Sequence, residues 1–327
     1  MILVTGATGV VGSQIVKALH EKGVSIRAIK RAKSDISWTK EINSQIDWVN
    51  ADILDIYSLE KAFTNITHVV HCAAIVSFDN SNDSLMNTVN IEGTKNLLTL
   101  CQKFNIKKLV YMSSVAALGR SERANTITEN GKWESSNLNT AYAESKYLAE
   151  LEVWRAQVEG LPTAILNPSV IIGPGNWNSS SLKLFKHVKK EMPLYPVGSL
   201  NFVDVRDVAD ITHQLLFSDI QGERFILNAG LITYQSFFKL IAKELNKKAP
   251  FLKINPTLAI FVAYVLRIVR FFTGIKFSIT AEAVKLSKLR NFFSSQKVEE
   301  MLNFKFIPAE ESIKWTCIQL ENKQLNP

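Results

Sequence analysis

The first twelve residues, MILVTGATGVVG, constrain the fold more than any other stretch of this chain. Residues 2–5 are apolar or β-branched and predict a buried strand of a parallel sheet. Three glycines follow at a spacing of three, and from Val10 onward apolar residues recur at helical spacing as far as Gly23. A strand, a glycine-rich turn and a helix in this order predict a site for the phosphates of a nucleotide.

Each of the three glycines has an expected role in such a site. Gly6 permits the tight turn, Gly9 allows the backbone to approach a pyrophosphate, and Gly12 lets the helix pack on the strand. The N-terminus of the helix then presents its free N–H groups and its positive dipole end to the phosphates.

Strands and helices alternate through about the first half of the chain, which predicts an α/β fold with a doubly wound parallel sheet. The later strands are predicted within 24–31, 48–55, 68–76, 108–119 and 163–175, and long helices over 84–104 and 140–160. The remainder is more helical and richer in lysine, and it predicts a smaller C-terminal cap. We therefore predict a nucleotide-binding domain over 1–175 and a substrate-binding cap over 176–327, with segments around 201–230 returning to the sheet.

Composition excludes several classes of protein. The chain has 327 residues, of which 46% are hydrophobic, and three widely separated cysteines, so we expect a large core and neither a disulfide framework nor a zinc site. The five histidines show no metal-ligand spacing, and His71, inside an apolar run, is predicted to be a core residue. No basic tract is interleaved with aromatic residues, so nucleic-acid binding is not expected despite a net charge of +8. Because the sequence begins directly with the first predicted strand, we expect no signal peptide and a cytoplasmic location.

The end of the second predicted strand bears on the choice of cofactor. An acidic residue about twenty positions past the glycines accepts the ribose 2′-hydroxyl of NAD(H), whereas a guanidinium there pairs with the 2′-phosphate of NADP(H). Lys30 and Arg31 occupy this place, with Arg27 and Lys33 near by, and no acid precedes Asp35. NADP(H) is therefore predicted, and NAD(H) is the alternative if these charges are only solvated surface groups.

Three residues have the chemistry needed to reduce a carbonyl group. Tyr142 and Lys146 lie four residues apart, and so on one face of the helix predicted over 140–160, and Ser114 ends a strand that points into the same crevice. A lysine one turn away stabilises the phenolate and lowers the pKa of a tyrosine from about 10, which helps the phenol to protonate a carbonyl oxygen. The serine hydroxyl would hold that oxygen while a nicotinamide supplies the hydride.

The combination of TGATGxxG, the serine pair at 113–114 and YxxxK at 142–146 resembles the extended branch of the short-chain dehydrogenase/reductase superfamily. The resemblance covers 1–175 and resumes at 201–211 and 294–316. It implies that Ser114 orients the carbonyl, that Tyr142 is the general acid/base, and that Lys146 assists Tyr142 and binds the ribose of the cofactor.

The resemblance also implies cofactor contacts beyond the glycine turn. Asp52 would accept a hydrogen bond from the adenine amino group while Ile53 packs on the ring, and the small Ala73 and Ala74 would leave room at the sheet edge. Residues 167–169 match the turn that passes behind the nicotinamide. The further cofactor contacts that it implies are Thr8, Val10, Val11, Asn90, Tyr142, Lys146, Pro168 and Val170.

Two groups of enzymes compete within this superfamily. Nucleotide-sugar epimerases and dehydratases usually carry an arginine shortly before the FVxVxDV segment, where this chain has GSLN at 198–201. Many of them also carry a lysine a few residues after the fourth strand, where this chain has Val76. Both differences favour a resemblance to dihydroflavonol reductases and 3β-hydroxysteroid dehydrogenases, which act on apolar ketones and alcohols. We therefore expect reduction of a hydrophobic ketone, or oxidation of the matching alcohol. A nucleotide-sugar epimerase or dehydratase and a non-enzymatic NAD(P) sensor are the alternatives.

The stretch 256–274 is strongly apolar but contains Arg267 and Arg270. Its uninterrupted apolar run is too short for a membrane span, which needs about 20 residues. Three uses stay open for it: lining an apolar substrate pocket, lying in a membrane interface, or forming a core or dimer contact. The expected partner is a hydrophobic small molecule, with peripheral membrane contact through this stretch and a homodimer as open alternatives.

Overall fold

The computed structural model describes residues 1–77, 83–119, 126–134, 139–177, 181–254 and 291–325. Within these ranges the strands are β1 (Ile2–Thr5), β2 (Ile26–Lys30), β3 (Asp47–Asn50), β4 (His68–His71), β5 (Lys108–Met112), β6 (Thr126–Ile127), β7 (Thr163–Pro168), β8 (Val170–Ile172), β9 (Leu194–Pro196), β10 (Ser199–Asp204), β11 (Glu223–Leu227), β12 (Gly230–Thr233), β13 (Leu252–Ile254) and β14 (Phe292–Phe293). The helices are α1 (Val10–Glu21), α2 (Ile56–Glu60), α3 (Asp83–Asn87), α4 (Gly93–Lys103), α5 (Ala141–Val158), α6 (Leu182–Lys189), α7 (Val205–Leu216), α8 (Tyr234–Glu244), α9 (Gln296–Leu302) and α10 (Ala309–Leu325). The stretch 256–274, for which three uses were open, lies outside the described residues.

In these ranges seven strands form one sheet, in the order β11-β7-β5-β4-β1-β2-β3. Every neighbouring pair in this sheet is parallel. The chain builds outward from β1 to β3 on one side and from β4 to β11 on the other, so the direction of winding reverses between β1 and β4. Ligands of such sheets bind at this point, beyond the carboxyl ends of the strands. The predicted doubly wound parallel sheet is confirmed.

Two apolar layers cover the sheet because alternate strand residues face opposite sides. Val4 faces the layer that contains Ile15 of α1 and Ile211 of α7. Leu3 faces the other layer, which contains Leu97 of α4 and Val153 of α5. All six side chains are fully buried, which explains why the strands of this sheet appear in the sequence as continuous apolar runs.

The cap has its own apolar cluster beyond the carboxyl edge of the sheet. Strands β12, β10 and β8 form a small second sheet, and β9 pairs with β13 in a two-stranded ribbon. The cluster includes Phe185 of α6, Phe237 of α8 and Ile313 of α10. The chain enters the main sheet again at β11, beside β7. The boundary between 175 and 176 stays a prediction.

Among the described helices, none combines the length and the apolar character needed to cross a membrane.

The helix predicted over 84–104 is divided in the structure. It consists of α3, a π-helical turn at Thr88–Glu92 and α4. The buried side chain of Asn90 lies in this wider turn, where its Oδ1 accepts from the N–H of Ile75 (2.8 Å) and its Nδ2 donates to Oγ of Ser145 (3.0 Å). A π turn of this kind commonly re-aims a side chain at a functional site.

Arg27 was expected close to the cofactor end of β2, and the structure places it elsewhere. It is the second residue of the strand, and its Nε donates to Oδ2 of Asp47 (2.7 Å) while its Nη1 donates to the carbonyl oxygen of Thr64 (2.8 Å). Proximity in sequence misleads here because a strand rises by about 3.3 Å per residue, which separates Arg27 from the end of β2. Arg27 fastens the sheet edge to the loop before β4.

Asp207 makes the stability of the fold depend on pH. It is buried in the first turn of α7, and its Oδ2 accepts from the N–H of Ile307 (3.0 Å). Burial raises the pKa of Asp207 from 3.8 to about 7. Between about pH 4 and pH 7 the folded carboxyl group therefore keeps a proton that the unfolded chain releases. This group should make the free energy of unfolding fall as the pH rises through this window, by up to about 1.4 kcal/mol per pH unit.

Asp207→Asn should remove this contribution to the pH dependence. Urea unfolding at several pH values between about 4.5 and 7.5, roughly the window set by the two pKa values, measures it. Asp210→Asn is the control, because the Asp210 side chain lies on the same helix, is 49% exposed and pairs only with Lys22 among the described residues. If the pH dependence of the Asp207→Asn protein equals that of the control, Asp207 is not the responsible group.

Candidate active site

The turn between β1 and α1 brings backbone segments closer than side chains would allow. Gly6 has a φ of +66°, and a Cβ on it would lie 2.7 Å from the backbone nitrogen of Ala73. A Cβ on Gly12 would lie 2.2 Å from the carbonyl oxygen of Gly6. The N–H of Gly9 donates to that same oxygen (3.0 Å), and α1 begins at the next residue. Further residues predicted to contact the cofactor lie in this turn or in the first turn of α1: Thr8, Val10 and Val11. The glycine cradle and the helix N-terminus fit a pyrophosphate.

Lys30 and Arg31 differ in what they contact at the end of β2. Nζ of Lys30 donates to Oδ1 of Asn50 across the β2–β3 pair (3.0 Å). The backbone of Arg31 forms a tight turn with Ser34, whose Oγ accepts from the N–H of Arg31 (3.1 Å). The exposed guanidinium of Arg31 has no hydrogen bond or ion pair within the part of the chain that the structure describes. Arg31 is therefore a cation at this strand end that is left for an anionic ligand.

The loop after β3 holds the predicted adenine contacts. Oδ1 of Asp52 accepts from the N–H of Leu54 (3.0 Å), which fixes the turn. Ile53 is buried, and a Cβ on Gly93 would lie 2.6 Å from its Cδ1, so α4 packs directly against it. Nδ2 of Asn96 donates to the carbonyl oxygen of Ile53 (3.0 Å).

The end of β4 is tied to β1 and α4 through His71. Its Nδ1 lies 2.6 Å from Oγ1 of Thr5 and its Nε2 lies 3.0 Å from Oγ1 of Thr94. Burial, with a smaller effect of Lys146, lowers the pKa of His71 to about 3, so the ring stays neutral. Oγ1 of Thr5 also accepts from the N–H of Ala73 (3.2 Å). These hydrogen bonds fix the path of the chain after β4, where the small residues Ala73 and Ala74 pass beside the glycine turn.

Ser114 and Tyr142 meet at the carboxyl end of β5. Tyr142 lies in the first turn of α5, and its phenol group shares a hydrogen bond with the hydroxyl of Ser114, which acts to lower the pKa of Tyr142. Oγ of Ser114 also accepts from the N–H of Ala116 (3.2 Å), at the start of a 3₁₀ turn. The neighbouring Ser113 points away, because its Oγ donates to Oε2 of Glu150 (2.6 Å). Of the two serines, Ser114 is therefore the one whose hydroxyl reaches Tyr142.

Lys146 lies one helical turn after Tyr142 and is 2% exposed. Its Nζ donates to the carbonyl oxygen of Met112 (2.7 Å) and to the hydroxyl of Tyr111 (3.0 Å). Burial lowers the pKa of Lys146 to about 8, while Glu150 acts in the opposite direction. The pKa of Tyr142 is raised, because burial of the phenol outweighs the hydrogen bond from Ser114. In the protein alone, the pKa of Tyr142 thus moves opposite to the sequence-based expectation.

Glu150 was missed from the sequence, although it continues the spacing of four after Tyr142 and Lys146. Its Oε2 accepts from Nδ2 of Asn167 (2.8 Å) as well as from Ser113, and its Oε1 lies 3.2 Å from Nη1 of Arg224. Nδ2 of Asn167 also donates to the carbonyl oxygen of Ser114 (3.0 Å). Glu150 therefore joins the helix of Tyr142 to the carboxyl ends of β5 and β7 and to the start of β11.

The predicted nicotinamide end lies where the chain passes from one sheet to the other. Pro168 ends β7 and Val170, which is 37% exposed, begins β8. Oγ of the intervening Ser169 is buried and has no hydrogen-bond partner among the described residues. A carboxamide group could satisfy this hydroxyl, so the residues present fit a nicotinamide here. The contact of Asn90 with the cofactor stays a prediction, and in the structure its amide group forms hydrogen bonds with the backbone of Ile75 and with Oγ of Ser145.

The sequence model of the NAD dependent epimerase/dehydratase family matches residues 2–230, more than two thirds of the chain. The chain belongs to this family. It is an NAD(P)-dependent enzyme of the short-chain dehydrogenase/reductase type, as the resemblance implied.

Two curated relatives are similar over nearly the whole chain. A putative dihydroflavonol 4-reductase of Synechocystis is 31% identical over an alignment of 306 positions, which covers 91% of this chain and 88% of the relative. The decarboxylating sterol-4-alpha-carboxylate 3-dehydrogenase erg26 of Schizosaccharomyces pombe is 25% identical over an alignment of 340 positions, which covers 99% of this chain and 98% of the relative. The relatives of this chain thus include proteins named as a reductase and as a dehydrogenase.

Solved structures of epimerases share the fold. The NAD complex of the UDP-glucose 4-epimerase of Thermus thermophilus superposes with a TM-score of 0.76, covers 98% of each chain and is 22% identical. The chain therefore shares its fold with a protein whose structure contains NAD.

Proposed function

We propose that this enzyme is an NADPH-dependent reductase of an apolar ketone, or the matching dehydrogenase of the secondary alcohol. The observation that carries the proposal is the hydrogen bond between Ser114 and Tyr142, one helical turn from the buried Lys146. When bound, the nicotinamide supplies or accepts a hydride.

The residues of the chain then handle the proton. Ser114 donates a hydrogen bond to the carbonyl oxygen and holds it in reach of Tyr142. The phenol of Tyr142 gives its proton to that oxygen as the carbon gains hydride, and the ketone becomes an alcohol. In the reverse direction Tyr142 takes the proton from the alcohol. Lys146, with a pKa of about 8, supplies the positive charge that stabilises the phenolate left behind.

An apolar substrate is supported by two positions. Leu200, in the segment where sugar-nucleotide enzymes of this kind carry an arginine, is 4% exposed and packs in the apolar cluster of the cap. Val76, where many of them carry a lysine, is 45% exposed just beyond β4. Neither can pair with a diphosphate. The names of the two relatives indicate a dihydroflavonol and a sterol carboxylate, both of which are built on fused ring systems and neither of which is a nucleotide sugar.

Arg31 should make the enzyme prefer NADPH. We expect tighter binding of NADPH than of NADH, because the guanidinium can form charge-assisted hydrogen bonds with the 2′-phosphate. Arg31→Ala should weaken NADPH binding by about tenfold or more and leave NADH binding almost unchanged, since a hydrogen bond to a charged group is worth about 1.5–3 kcal/mol. Titration of protein freed of nucleotide, followed by fluorescence, measures both dissociation constants.

Lys61→Ala is the control for Arg31→Ala, because Lys61 is exposed at the opposite, amino-terminal edge of the sheet. Equal affinity of the native protein for NADPH and NADH would contradict the proposed preference for NADPH. An equal loss of affinity for the two cofactors in the Arg31→Ala protein would contradict it as well.

A nucleotide-sugar epimerase is the second candidate, supported by the structural likeness to the UDP-glucose 4-epimerase. Such an enzyme returns the hydride to its own substrate and keeps its cofactor. The same purified protein distinguishes the two, because NAD⁺ retained through purification and released only on denaturation would favour the epimerase. Exchangeable NADPH supports the reductase.

A further inference from the structure

The outer end of the cap exposes several large apolar side chains together. On the β9–β13 ribbon, Leu194 and Leu252 are register partners and are 39% and 48% exposed. Phe251 is 72% exposed and Met192 is 44% exposed. The N–H groups of Phe251 and Leu252 both donate to the carbonyl oxygen of Pro193 (2.9 and 2.8 Å), which holds the two segments side by side. These four side chains, Met192, Leu194, Phe251 and Leu252, form the ribbon patch.

The segments that carry the ribbon patch are rich in lysine. The segments 183–194 and 243–253, which bring in α6, the end of α8 and both strands of the ribbon, contain eight lysines and two glutamates. The exposed lysines among them are Lys183, Lys189, Lys190, Lys243, Lys247, Lys248 and Lys253. Oε1 of Glu191 accepts from the backbone N–H of Lys248 (3.0 Å), so the two basic segments are in contact beside the patch. The result is an exposed apolar centre with a positive rim.

We propose that the ribbon patch and its lysines dock on an anionic lipid membrane. The apolar side chains would enter the boundary between headgroups and acyl chains, and the lysines would face the acidic headgroups. Neither attraction is strong alone, but stable attachment of a peripheral protein to a membrane typically combines apolar insertion with a basic surface. The proposal is independent of the proposed reaction, and the apolar and basic residues that carry it all lie outside 256–274.

Charge complementarity favours a lipid membrane over two other candidate partners of the ribbon patch, a second copy of the chain and a nucleic acid. Two copies of the chain would bring their positive rims together, and like charges across an interface disfavour association. Nucleic acid would satisfy the lysines but would leave Phe251 and Leu252 without an apolar partner. An anionic bilayer provides both negative charge and an apolar interior.

Sedimentation of the full chain with vesicles tests the proposal. We expect binding to vesicles of phosphatidylcholine with phosphatidylserine, little binding to phosphatidylcholine alone, and weaker binding as salt increases. Lys247→Glu with Lys248→Glu should lower the partition coefficient about tenfold or more, since each lysine contributes to attraction by the surface. Phe251→Ser with Leu252→Ser should lower it comparably by removing the apolar anchors. Each pair is assayed as a double variant.

Each double variant has a control. For the charge variant it is Lys61→Glu with Lys107→Glu, two exposed lysines at the amino-terminal edge of the sheet. For the apolar variant it is Val158→Ser, because Val158 is 88% exposed at the end of α5. Both controls should bind vesicles as the native chain does. Several results would overturn the proposal: equal binding to neutral and anionic vesicles, no binding, or variants that behave like their controls.

Two further measurements identify the competing occupants. If residues 255–290 cover the patch, Phe251→Ser with Leu252→Ser lowers the melting temperature and the native chain does not bind vesicles. If a second copy of the chain covers the patch, sedimentation velocity shows a dimer. Lys247→Glu with Lys248→Glu would then strengthen this dimer, or Phe251→Ser with Leu252→Ser would dissociate it. Either result would refute lipid docking.

Discussion

Tyr142→Phe is expected to lower kcat for the reduction of a ketone by about 10²–10⁴-fold, the usual contribution of a general acid. The substitution removes the proton donor and leaves the ring in place. Ser114 would keep its hydrogen bond with the N–H of Ala116, so the loop should hold its shape. Cofactor affinity should change little compared with kcat, because the predicted cofactor contacts are spread from the glycine turn to Val170. Steady-state kinetics on a panel of apolar ketones, with cofactor titration, measures both effects.

Tyr147→Phe is the matched control for this experiment. Tyr147 lies on the same helix, but its ring stacks on Trp133 with the centroids 4.4 Å apart and the planes at 6°. Removing its hydroxyl should leave kcat within about twofold of the native value, since nothing in the proposed proton transfer uses it. Full turnover by the Tyr142→Phe enzyme would reject the proposed acid, whatever the substrate.

The second large effect is expected for Glu150→Gln, which should lower the free energy of unfolding by about 3–5 kcal/mol. Glu150 has a side chain 3% exposed and pairs with Arg224 at 3.2 Å. Replacing it by the neutral amide leaves the guanidinium of Arg224 without its buried counter-charge. Urea unfolding of the two proteins measures the loss.

The same substitution should change the pH profile of the reaction. Glu150 opposes the lowering of the pKa of Lys146 by burial, so Lys146 should lose its proton at a lower pH in the variant. The alkaline limb of the kcat/KM profile should therefore move to lower pH.

Glu152→Gln provides the comparison on the same helix. The Glu152 side chain is 23% exposed and forms surface ion pairs with Arg155 and Lys95. Such pairs are worth about 0–1 kcal/mol, so this substitution should change the free energy of unfolding little and leave the pH profile in place. If both variants lose the same stability and keep the native profile, Glu150 has no special relation to Lys146 or Arg224.

Local patterns in the sequence were sufficient for most of the fold. The strand at 2–5, the glycine spacing and the helix beginning at Val10 appear as predicted, because the tight turn and the two periodicities depend on neighbouring residues only. The spacing of Tyr142 and Lys146 also places them on one face of α5 from the sequence alone. The helix over 84–104 was less regular than its pattern, because the buried amide of Asn90 finds its partners in Ile75 and in a helix 55 residues later.

The order of residues along the chain was thus enough to predict the doubly wound sheet, the glycine turn and the elements that carry Ser114, Tyr142 and Lys146. The surroundings of these residues depend on the folded chain: Glu150 is joined to Ser113 and Arg224, Arg27 is drawn to Asp47, and the pKa of Lys146 is lowered to about 8. Folding also brings Met192 and Phe251 to one exposed surface among lysines. This division arises because periodicity encodes only which face of an element is apolar. The order and register of the strands, by contrast, set which distant faces meet and how much water they exclude.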